Sequence, residues 1–170
     1  MKLIILGAGK YGKESEDVAE QMGRFDRIDF LDDFSTWDRV IGKCSDFHQH
    51  LSENTVFFVA FGDNEMRARW LKALMATNAS IVNIVHPSAY ISPKASLGNG
   101  VAILPKALVN SYCVIENGCM INSGAIVDHD TIIGEYAHVC VGAIVKADNK
   151  IPAFMKVEAG EIVANHVYPR

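Results

Sequence analysis

The sequence has no long apolar run, no cluster of basic residues and no pair of its four cysteines in a CxxC spacing. No stretch approaches the about twenty apolar residues that a membrane span requires. The 16 Lys and Arg are interspersed with 20 Asp and Glu, and the net charge is -4, so no basic surface for nucleic acid or an anionic membrane is indicated. The chain starts with a short apolar run that leads into a glycine turn, unlike a signal peptide. We therefore expect a cytoplasmic protein with reduced thiols and with neither nucleic-acid nor membrane partners.

The second half of the chain has an aliphatic residue at every sixth position. The series runs from Val85 to Val163 and contains fourteen consecutive aliphatic residues, and small residues follow four positions later from Ala89 to Ala143. A period of six fits neither an isolated helix nor an alternating strand of a flat sheet. It predicts a solenoid of short extended segments, in which large aliphatic side chains point inward, small residues occupy tight corners, and Gly or Asn adopts the turn conformations.

Residues 1–80 alternate short apolar strands with helical segments, as is typical of α/β folds. Strands are predicted over 2–6, 28–31 and 55–61, and helices over 13–22 and 64–77. Strand, helix, strand, strand, helix is half of a doubly wound fold. We therefore predict two domains, a Rossmann-like half domain over residues 1–82 and the repeat domain over residues 83–170.

A Gly-x-Gly-x-x-Gly motif from Gly7 to Gly12 follows the first predicted strand, and Asp32 lies twenty residues further on. This spacing is typical of dinucleotide sites, but about 80 residues supply only one of the two halves that a dinucleotide needs, so a single nucleotide fits better. The turn amides would hold a phosphate, Lys10 would add a positive charge, and Asp32 or Asp33 would accept hydrogen bonds from the ribose or base. The alternative is a glycine turn that only packs a helix on a strand.

The repeat half contains Asp128-His129-Asp130, and His138 follows half a coil later. Acyl transfer from a thioester to an amine or hydroxyl needs a base near neutral pH, and an imidazole hydrogen-bonded to a carboxylate is suited to this role. We predict His129 as the base and Asp130, or alternatively Asp128, as the carboxylate that fixes its tautomer. Two other interpretations are an ordinary polar corner and a metal site shared by His129 and His138 of neighbouring subunits, for which a third histidine ligand is missing nearby.

These features together resemble one family over nearly the whole chain. The repeat resembles the hexapeptide-repeat acyltransferases, and the two halves resemble the sialic acid O-acetyltransferase-like sugar acyltransferases, particularly the bacterial UDP-4-amino-sugar N-acetyltransferases of the bacillosamine pathway. The matching segments are Gly7-Ala8-Gly9, Glu16-Asp17-Val18-Ala19, Phe30-Leu31-Asp32-Asp33-Phe34, Gly62-Asp63-Asn64-Glu65-Met66-Arg67, Ile81-Val82-Asn83, His86-Pro87-Ser88-Ala89 and Val127-Asp128-His129-Asp130 through His138. The resemblance implies a left-handed parallel β-helix, a homotrimer and an acetyl-CoA-dependent transferase that acts on a nucleotide sugar.

The resemblance also implies roles for individual residues. In that family the histidine matching His129 is the base, the acidic residue after it modulates the base, and the histidine matching His138 contacts acetyl-CoA, while Gly142 to Ala147 would supply backbone N–H groups to the donor and the oxyanion. The nucleotide sugar would be held by the N-terminal half domain. The candidates there are Gly7, Gly9, Lys10, Tyr11, Asp32, Asp33 and Gly62. No metal is required.

Three departures from the family leave alternatives open. Lys10 and Tyr11 stand where the family has Gly-His, and Ala147 stands where it has a glycine that contacts coenzyme A. The family also continues for another coil with a Gly-x-Pro-Ala-Lys segment, whereas this chain stops at Arg170. We expect an N-acetyltransferase for a UDP-4-amino-sugar type of acceptor. The alternatives are a sugar O-acetyltransferase of the sialate type and a non-catalytic sugar-nucleotide-binding protein with a shortened β-helix.

Overall fold

A computed structural model describes residues 1–169 and divides them into two compact units, Met1–Ile84 and the residues from Val85 onward. In the first unit, four parallel strands form a sheet in the order β2-β1-β3-β4. The strands are β1 (Lys2–Leu6), β2 (Arg27–Leu31), β3 (Thr55–Val59) and β4 (Ser80–Ile81), and the helices are α1 (Lys10–Met22) and α2 (Asn64–Met75). A 3-10 helix over Cys44–His50, which the sequence analysis did not predict, follows β2.

The apolar run of β1 explains its central place in the sheet. Leu3 to Leu6 are fully buried, as expected of a parallel strand that is covered on both faces. Helix α1 begins three residues earlier than predicted because Gly9 is its N-cap, and it ends at Gly23, which has the left-handed conformation with φ 63°. Helix α2 is capped by Asp63, whose carboxylate accepts a hydrogen bond from the Met66 N–H at 2.8 Å.

The second unit is a left-handed parallel β-helix built from fourteen two-residue strands. The strands are β5 (Ile84–Val85), β6 (Tyr90–Ile91), β7 (Ser96–Leu97), β8 (Ala102–Ile103), β9 (Leu108–Val109), β10 (Val114–Ile115), β11 (Met120–Ile121), β12 (Ile126–Val127), β13 (Ile132–Ile133), β14 (His138–Val139), β15 (Ile144–Val145), β16 (Lys150–Ile151), β17 (Lys156–Val157) and β18 (Ile162–Val163). Each residue of the sixfold aliphatic series is the second residue of a strand, and these residues pack in one apolar core. The predicted fold is confirmed.

The strands form three flat faces of the β-helix. The first face contains β5, β8, β11, β14 and β17, the second face β6, β9, β12, β15 and β18, and the third face β7, β10, β13 and β16. Since the chain passes from the second face to the third and then to the first, each corner joins two defined faces. The first residue of each strand points outward, because side chains alternate along a strand.

The corners use the left-handed backbone conformation at every sixth residue. Five of these positions hold glycine, from Gly100 to Gly160, and seven hold other residues: Lys106, Tyr112, Asp130, Tyr136, Asp148, Phe154 and His166. We expected Gly or Asn at these positions, but none of the twelve holds asparagine. The conformation costs a non-glycine residue about 1–2 kcal/mol, and stacking offsets this cost because backbone N–H groups there, such as that of Asp130, donate to a carbonyl of the preceding coil.

The C-terminal segment continues the coil. After β18, the Tyr168 carbonyl accepts a hydrogen bond from the Lys150 N–H at 2.6 Å, and the Tyr168 N–H donates to Asn149 Oδ1 at 2.9 Å. Asn149 is fully buried and its amide donates to the Lys146 and Ala164 carbonyls, so this asparagine ties two corners together. Within residues 1–169 no helix is both long and apolar enough to cross a membrane.

Candidate active site

His129 and Asp130 lie together at the corner between β12 and β13. The Nδ1 atom of His129 is 2.9 Å from Oδ2 of Asp130. Since a carboxylate can only accept, Nδ1 carries the proton in this hydrogen bond, and the lone pair of the neutral ring is at Nε2. No described residue hydrogen-bonds to Nε2, and half of the His129 side chain is exposed. This arrangement leaves Nε2 accessible as a proton acceptor.

Neighbouring carboxylates make His129 a stronger proton acceptor. The hydrogen bond from His129 to Asp130 raises the pKa of the imidazole above its ordinary value, and the slight desolvation of the ring only partly opposes this. The negative charges of Asp128 and Asp148 act in the same direction. A higher pKa makes Nε2 a stronger proton acceptor, provided that the pH keeps the ring neutral.

Asp128, the alternative partner of His129, contacts the backbone of the corner instead of the imidazole ring. Its Oδ1 atom accepts hydrogen bonds from the His129 backbone N–H at 2.8 Å and from the Asn110 amide at 3.1 Å. Asn110 occupies the same corner position one coil earlier. Asp128 thus holds the backbone of the corner, whereas Asp130 contacts the imidazole ring.

His138 lies on a different part of the β-helix. It is the outward residue of β14 on the first face, whereas His129 is at the corner between the second and third faces. Its Nε2 atom is 3.2 Å from the Asn122 amide nitrogen. Gly142 is at the corner after β14, with φ 64°, and Ala147 is at the corner after β15, one coil beyond His129. Within one chain the structure therefore does not bring His129 and His138 together.

In the N-terminal unit, the predicted nucleotide-binding residues lie at one edge of the sheet. Gly7 follows β1, Asp32 follows β2 and Gly62 lies shortly after β3, and these three strands are neighbours in the sheet. Because the strands are parallel, their carboxyl ends meet at this edge, where open α/β sheets bind ligands. The glycine turn is tightly packed, since a Cβ atom on Gly12 would lie 2.1 Å from the Gly7 carbonyl oxygen, and Gly7 has φ 102°. Gly7 and Gly12 are therefore needed to pack the helix on the strand, which is the role that the alternative interpretation gives to the whole turn.

The amino-terminal end of α1 remains accessible in this turn. Gly9, its N-cap, has no side chain to accept the N–H groups of the first turn, and nothing lies within 4 Å of a Cβ atom built there. The first turn contains no acidic residue, and Lys10 is exposed. Uncapped N–H groups, the helix dipole and a lysine together form an arrangement that suits a phosphate.

Asp32 connects this turn to the loop after β2. Its Oδ2 atom accepts from the Ala8 N–H at 2.8 Å, and its Oδ1 atom accepts from the N–H groups of Phe34 at 2.9 Å and Ser35 at 2.7 Å. Burial raises the pKa of Asp32, but these three N–H groups lower it further, so that the pKa lies below its ordinary value. The carboxylate is therefore ionised and already serves to position the loop. Asp33 is exposed, and its Oδ1 atom accepts from the Cys44 N–H.

The Tyr11 side chain points into the N-terminal unit. Its hydroxyl oxygen is buried, and its ring meets that of Phe58 edge to face at 6.5 Å between centroids. Burial raises the pKa of the phenol, although the nearby Arg67 charge acts in the opposite direction. The Tyr11 side chain therefore contributes to packing, and only the Tyr11 backbone belongs to the glycine turn.

Two residues near this edge were not singled out by the sequence analysis. Arg67 is buried, and its guanidinium donates to the Phe61 carbonyl at 2.9 Å and to Asn64 Oδ1 at 2.7 Å, which holds the loop that contains Gly62. Phe34, in contrast, is 93% exposed. Both belong to segments that carried the family resemblance, but burial and exposure cannot be predicted from residue type alone.

The cysteines are unsuited to act as nucleophiles. All four cysteines are buried and form no disulfide within residues 1–169, and burial raises the pKa of Cys44 to about 12 and also raises that of Cys113. A thiol of high pKa is a poor nucleophile. In the part of the chain that the structure describes, no three His, Cys, Asp or Glu side chains lie close enough to hold a metal ion.

The N-terminal part of the chain matches a known domain family, and the whole chain is similar to solved structures. Residues 2–74 match the PglD N-terminal domain family. The chain is similar to PerB from Caulobacter crescentus in complex with CoA and GDP-perosamine, with 28% identity, a TM-score of 0.81 and coverage of 100% of this chain and 92% of that one. It is also similar to the acetyltransferase domain of PglB from Neisseria gonorrhoeae in complex with acetyl coenzyme A, with 26% identity, a TM-score of 0.71 and coverage of 97% and 96%.

Proposed function

We propose that this chain, a sugar acyltransferase of the hexapeptide-repeat type with an N-terminal PglD-like domain, transfers the acetyl group of acetyl-CoA to the amino group of a nucleotide-linked amino sugar. The resemblance predicted from the sequence is confirmed by the matches to PglD, PerB and PglB. The observation that carries the mechanism is the His129–Asp130 pair with its accessible Nε2 atom. The finer assignment to a UDP-linked sugar stays a prediction, since the PerB complex contains a GDP-linked one.

The proposed reaction needs one base and no covalent acyl-enzyme. His129 Nε2 accepts a proton from the sugar amine while the amine nitrogen forms a bond to the thioester carbonyl carbon. A backbone N–H between Gly142 and Ala147 stabilises the oxyanion. The C–S bond then breaks, and the proton on His129 passes to the leaving thiolate. Asp130 holds the imidazole in the required tautomer throughout and stabilises the imidazolium form.

In the same proposal, the N-terminal unit binds the nucleotide part of the acceptor. Gly7, Gly9 and the exposed Lys10 contact phosphate at the start of α1, with the backbone of Tyr11 in the same turn. Asp33 and Gly62 lie at the same edge of the sheet and are available to the ribose or base, and Asp32 holds the loop beside them. His138 and the segment that contains Ala147 bind the donor.

We also propose that the protein is a homotrimer. The outward residues of the second face are all large and apolar: Tyr90, Leu108, Ile126, Ile144 and Ile162. A flat apolar face of this extent favours burial against a second copy. An assembly would also allow His129 of one subunit to approach His138 of the next, which one chain does not allow.

Mixing two inactive variants tests this arrangement. If one site uses His129 and His138 from different subunits, co-refolding His129→Ala with His138→Ala chains should give mixed trimers in which some sites contain both histidines. Acetyltransferase activity should then exceed that of either variant alone. A mixture that remains as inactive as its components, although mass measurements show mixed oligomers, would contradict a site between subunits.

Product analysis tests the reaction itself. The protein is incubated with acetyl-CoA and either a GDP- or UDP-linked 4-amino sugar or sialic acid, and products are identified by mass spectrometry. We expect an amide that resists mild base. An acetyl ester formed only on sialic acid would instead support the O-acetyltransferase alternative.

Calorimetry tests the non-catalytic alternative. An enzyme of this kind should bind acetyl-CoA with measurable heat, and desulfo-CoA can serve as a control for the thiol end. Binding of nucleotide sugar without any heat from acetyl-CoA at millimolar concentration would favour a binding protein. We also assign the reaction to the cytoplasm, in keeping with four buried cysteines that form no disulfide among the described residues.

A further inference from the structure

The exposed ring of Phe34 lies next to the edge of the sheet where the nucleotide is proposed to bind. It is 93% exposed, the highest exposure among the large apolar side chains, and it makes no ring contact with another described residue. Leaving a phenyl ring in water forfeits the hydrophobic stabilisation that burial of an aromatic side chain gives. A ring held in this way is available to a ligand.

The position of Phe34 is fixed by the residue that also fixes the glycine turn. Asp32 accepts from the Phe34 N–H through Oδ1 and from the Ala8 N–H through Oδ2, both within 2.9 Å. Ser35 N–H donates to the same Oδ1 atom, so the loop makes a tight turn around the carboxylate. The loop that presents the ring is thus hydrogen-bonded, through one side chain, to the turn proposed to hold the phosphate.

The chemistry next to the ring suits a nucleobase. The adjacent Asp33 is exposed and has a carboxylate oxygen, Oδ2, that can accept from a base N–H, whereas its Oδ1 atom accepts from the Cys44 N–H. A flat apolar surface beside a hydrogen-bond acceptor matches a base, which has two π faces and N–H groups at its rim. A phosphate offers no such face.

We propose that Phe34 is the stacking platform for the nucleobase of the acceptor, and that Asp32 is the positioning residue that presents it. This inference rests on the proposed function, because it assumes a nucleotide-linked acceptor. Stacking tolerates different bases, since every base has a π face. The Phe34 ring therefore contributes affinity for the nucleotide, and hydrogen bonds at the base rim contribute the choice among bases.

Binding of GDP and UDP to the full chain, measured by calorimetry, tests the proposal. Phe34→Ala should weaken the binding of whichever nucleotide the native chain prefers by about five- to a hundredfold, the usual effect of removing one base-stacking aromatic. Ribose 5-phosphate, which has no base, should bind the variant and the native chain equally. Leu51→Ala, at another partly exposed apolar residue of the same unit, should leave both affinities unchanged.

A second variant provides a direct signal. Phe34→Trp should retain nucleotide binding and should show tryptophan fluorescence that GDP or UDP quenches and ribose 5-phosphate does not, after subtraction of the native signal from Trp37 and Trp70. If the native chain binds a nucleotide but Phe34→Ala binds it equally well, the stacking role is wrong and the proposed function survives. If the native chain binds neither GDP nor UDP, the proposed function and the stacking role are both overturned.

Discussion

The Nδ1 atom of His129 lies 2.9 Å from Oδ2 of Asp130, and the left-handed backbone of Asp130, with φ 56°, places the two side chains next to each other at one corner. Neighbouring residues in an extended segment point to opposite sides. The corner geometry therefore allows two consecutive residues to act as a pair, and this pair determines the reactivity that we propose.

Removing the imidazole should remove the base. We expect His129→Ala to lower the turnover number by about two to four orders of magnitude, the usual contribution of a positioned general base. Release of coenzyme A, followed with a thiol reagent, measures the rate. The matched control is His166→Ala, at an exposed histidine of an equivalent corner that no proposed step uses. A normal rate for His129→Ala would disprove the assignment.

Changing the carboxylate should change the pH dependence. In Asp130→Asn the hydrogen bond that raises the pKa of His129 is weakened, so the pKa should fall. Because the base acts when neutral, the acidic limb of kcat/KM should move to lower pH, while the maximal rate falls with the basicity of the ring. Asp148→Asn, which removes the smallest of the contributions that raise the His129 pKa, should shift the limb less. An acidic limb that moves to higher pH in Asp130→Asn would contradict this role.

Two glycines of the first turn should respond differently to alanine. A Cβ atom at Gly12 would lie 2.1 Å from the Gly7 carbonyl oxygen, so Gly12→Ala should destabilise the N-terminal unit by about 2 kcal/mol or more. Gly9→Ala meets no atom within 4 Å and should leave the melting temperature nearly unchanged. Its methyl group would, however, lie at the proposed phosphate site.

Thermal unfolding and nucleotide titration together separate these effects. We expect a lower melting temperature for Gly12→Ala, and for Gly9→Ala a native melting temperature with several-fold weaker binding of GDP or UDP. A stable Gly9→Ala variant with native affinity would show that the turn only packs the helix against the sheet.

A charge on the second face should prevent assembly. Each isoleucine buried there contributes about 1.5–3 kcal/mol through the hydrophobic effect, and Ile144→Glu would replace one of these contributions by a charge that is costly to bury. Light scattering after gel filtration should show a monomer for Ile144→Glu and a trimer for the native chain. Lys150→Glu, on the third face, is the control and should stay trimeric. A trimeric Ile144→Glu variant would indicate that another face forms the interface.

The regular part of the fold was predictable because one physical rule repeats along the chain. Val85 to Val163 each fill the same inward position, so fourteen observations support one period. The 3-10 helix over Cys44–His50 was not predictable in this way, because seven residues without apolar periodicity give no comparable signal. The left-handed corners at Tyr136 and Phe154 contradict local preferences, and their backbone N–H groups donate to the Asn117 and Glu135 carbonyls of the preceding coil, which stabilises them.

The candidate site was predictable in its residue types and less so in its geometry. The Asp-His-Asp sequence indicated a base, but only the corner showed that Asp130 holds the ring and that Asp128 holds the backbone. Similarly, Asp32 was expected to contact the ligand, and the structure shows three protein N–H groups on its carboxylate. These contacts join residues from different loops, which the spacing along a sequence does not show.

The corner that holds His129 and Asp130 recurs through the β-helix with the same backbone conformation, for example at Ser111 and Tyr112. The backbone conformation that places the pair is therefore not unique to this corner, and other coils provide it too. Histidine and aspartate introduced at positions 111 and 112 should reproduce that geometry one coil away. The repeat would thus allow a reactive pair to be placed on successive coils, in steps of one strand spacing, ~4.8 Å.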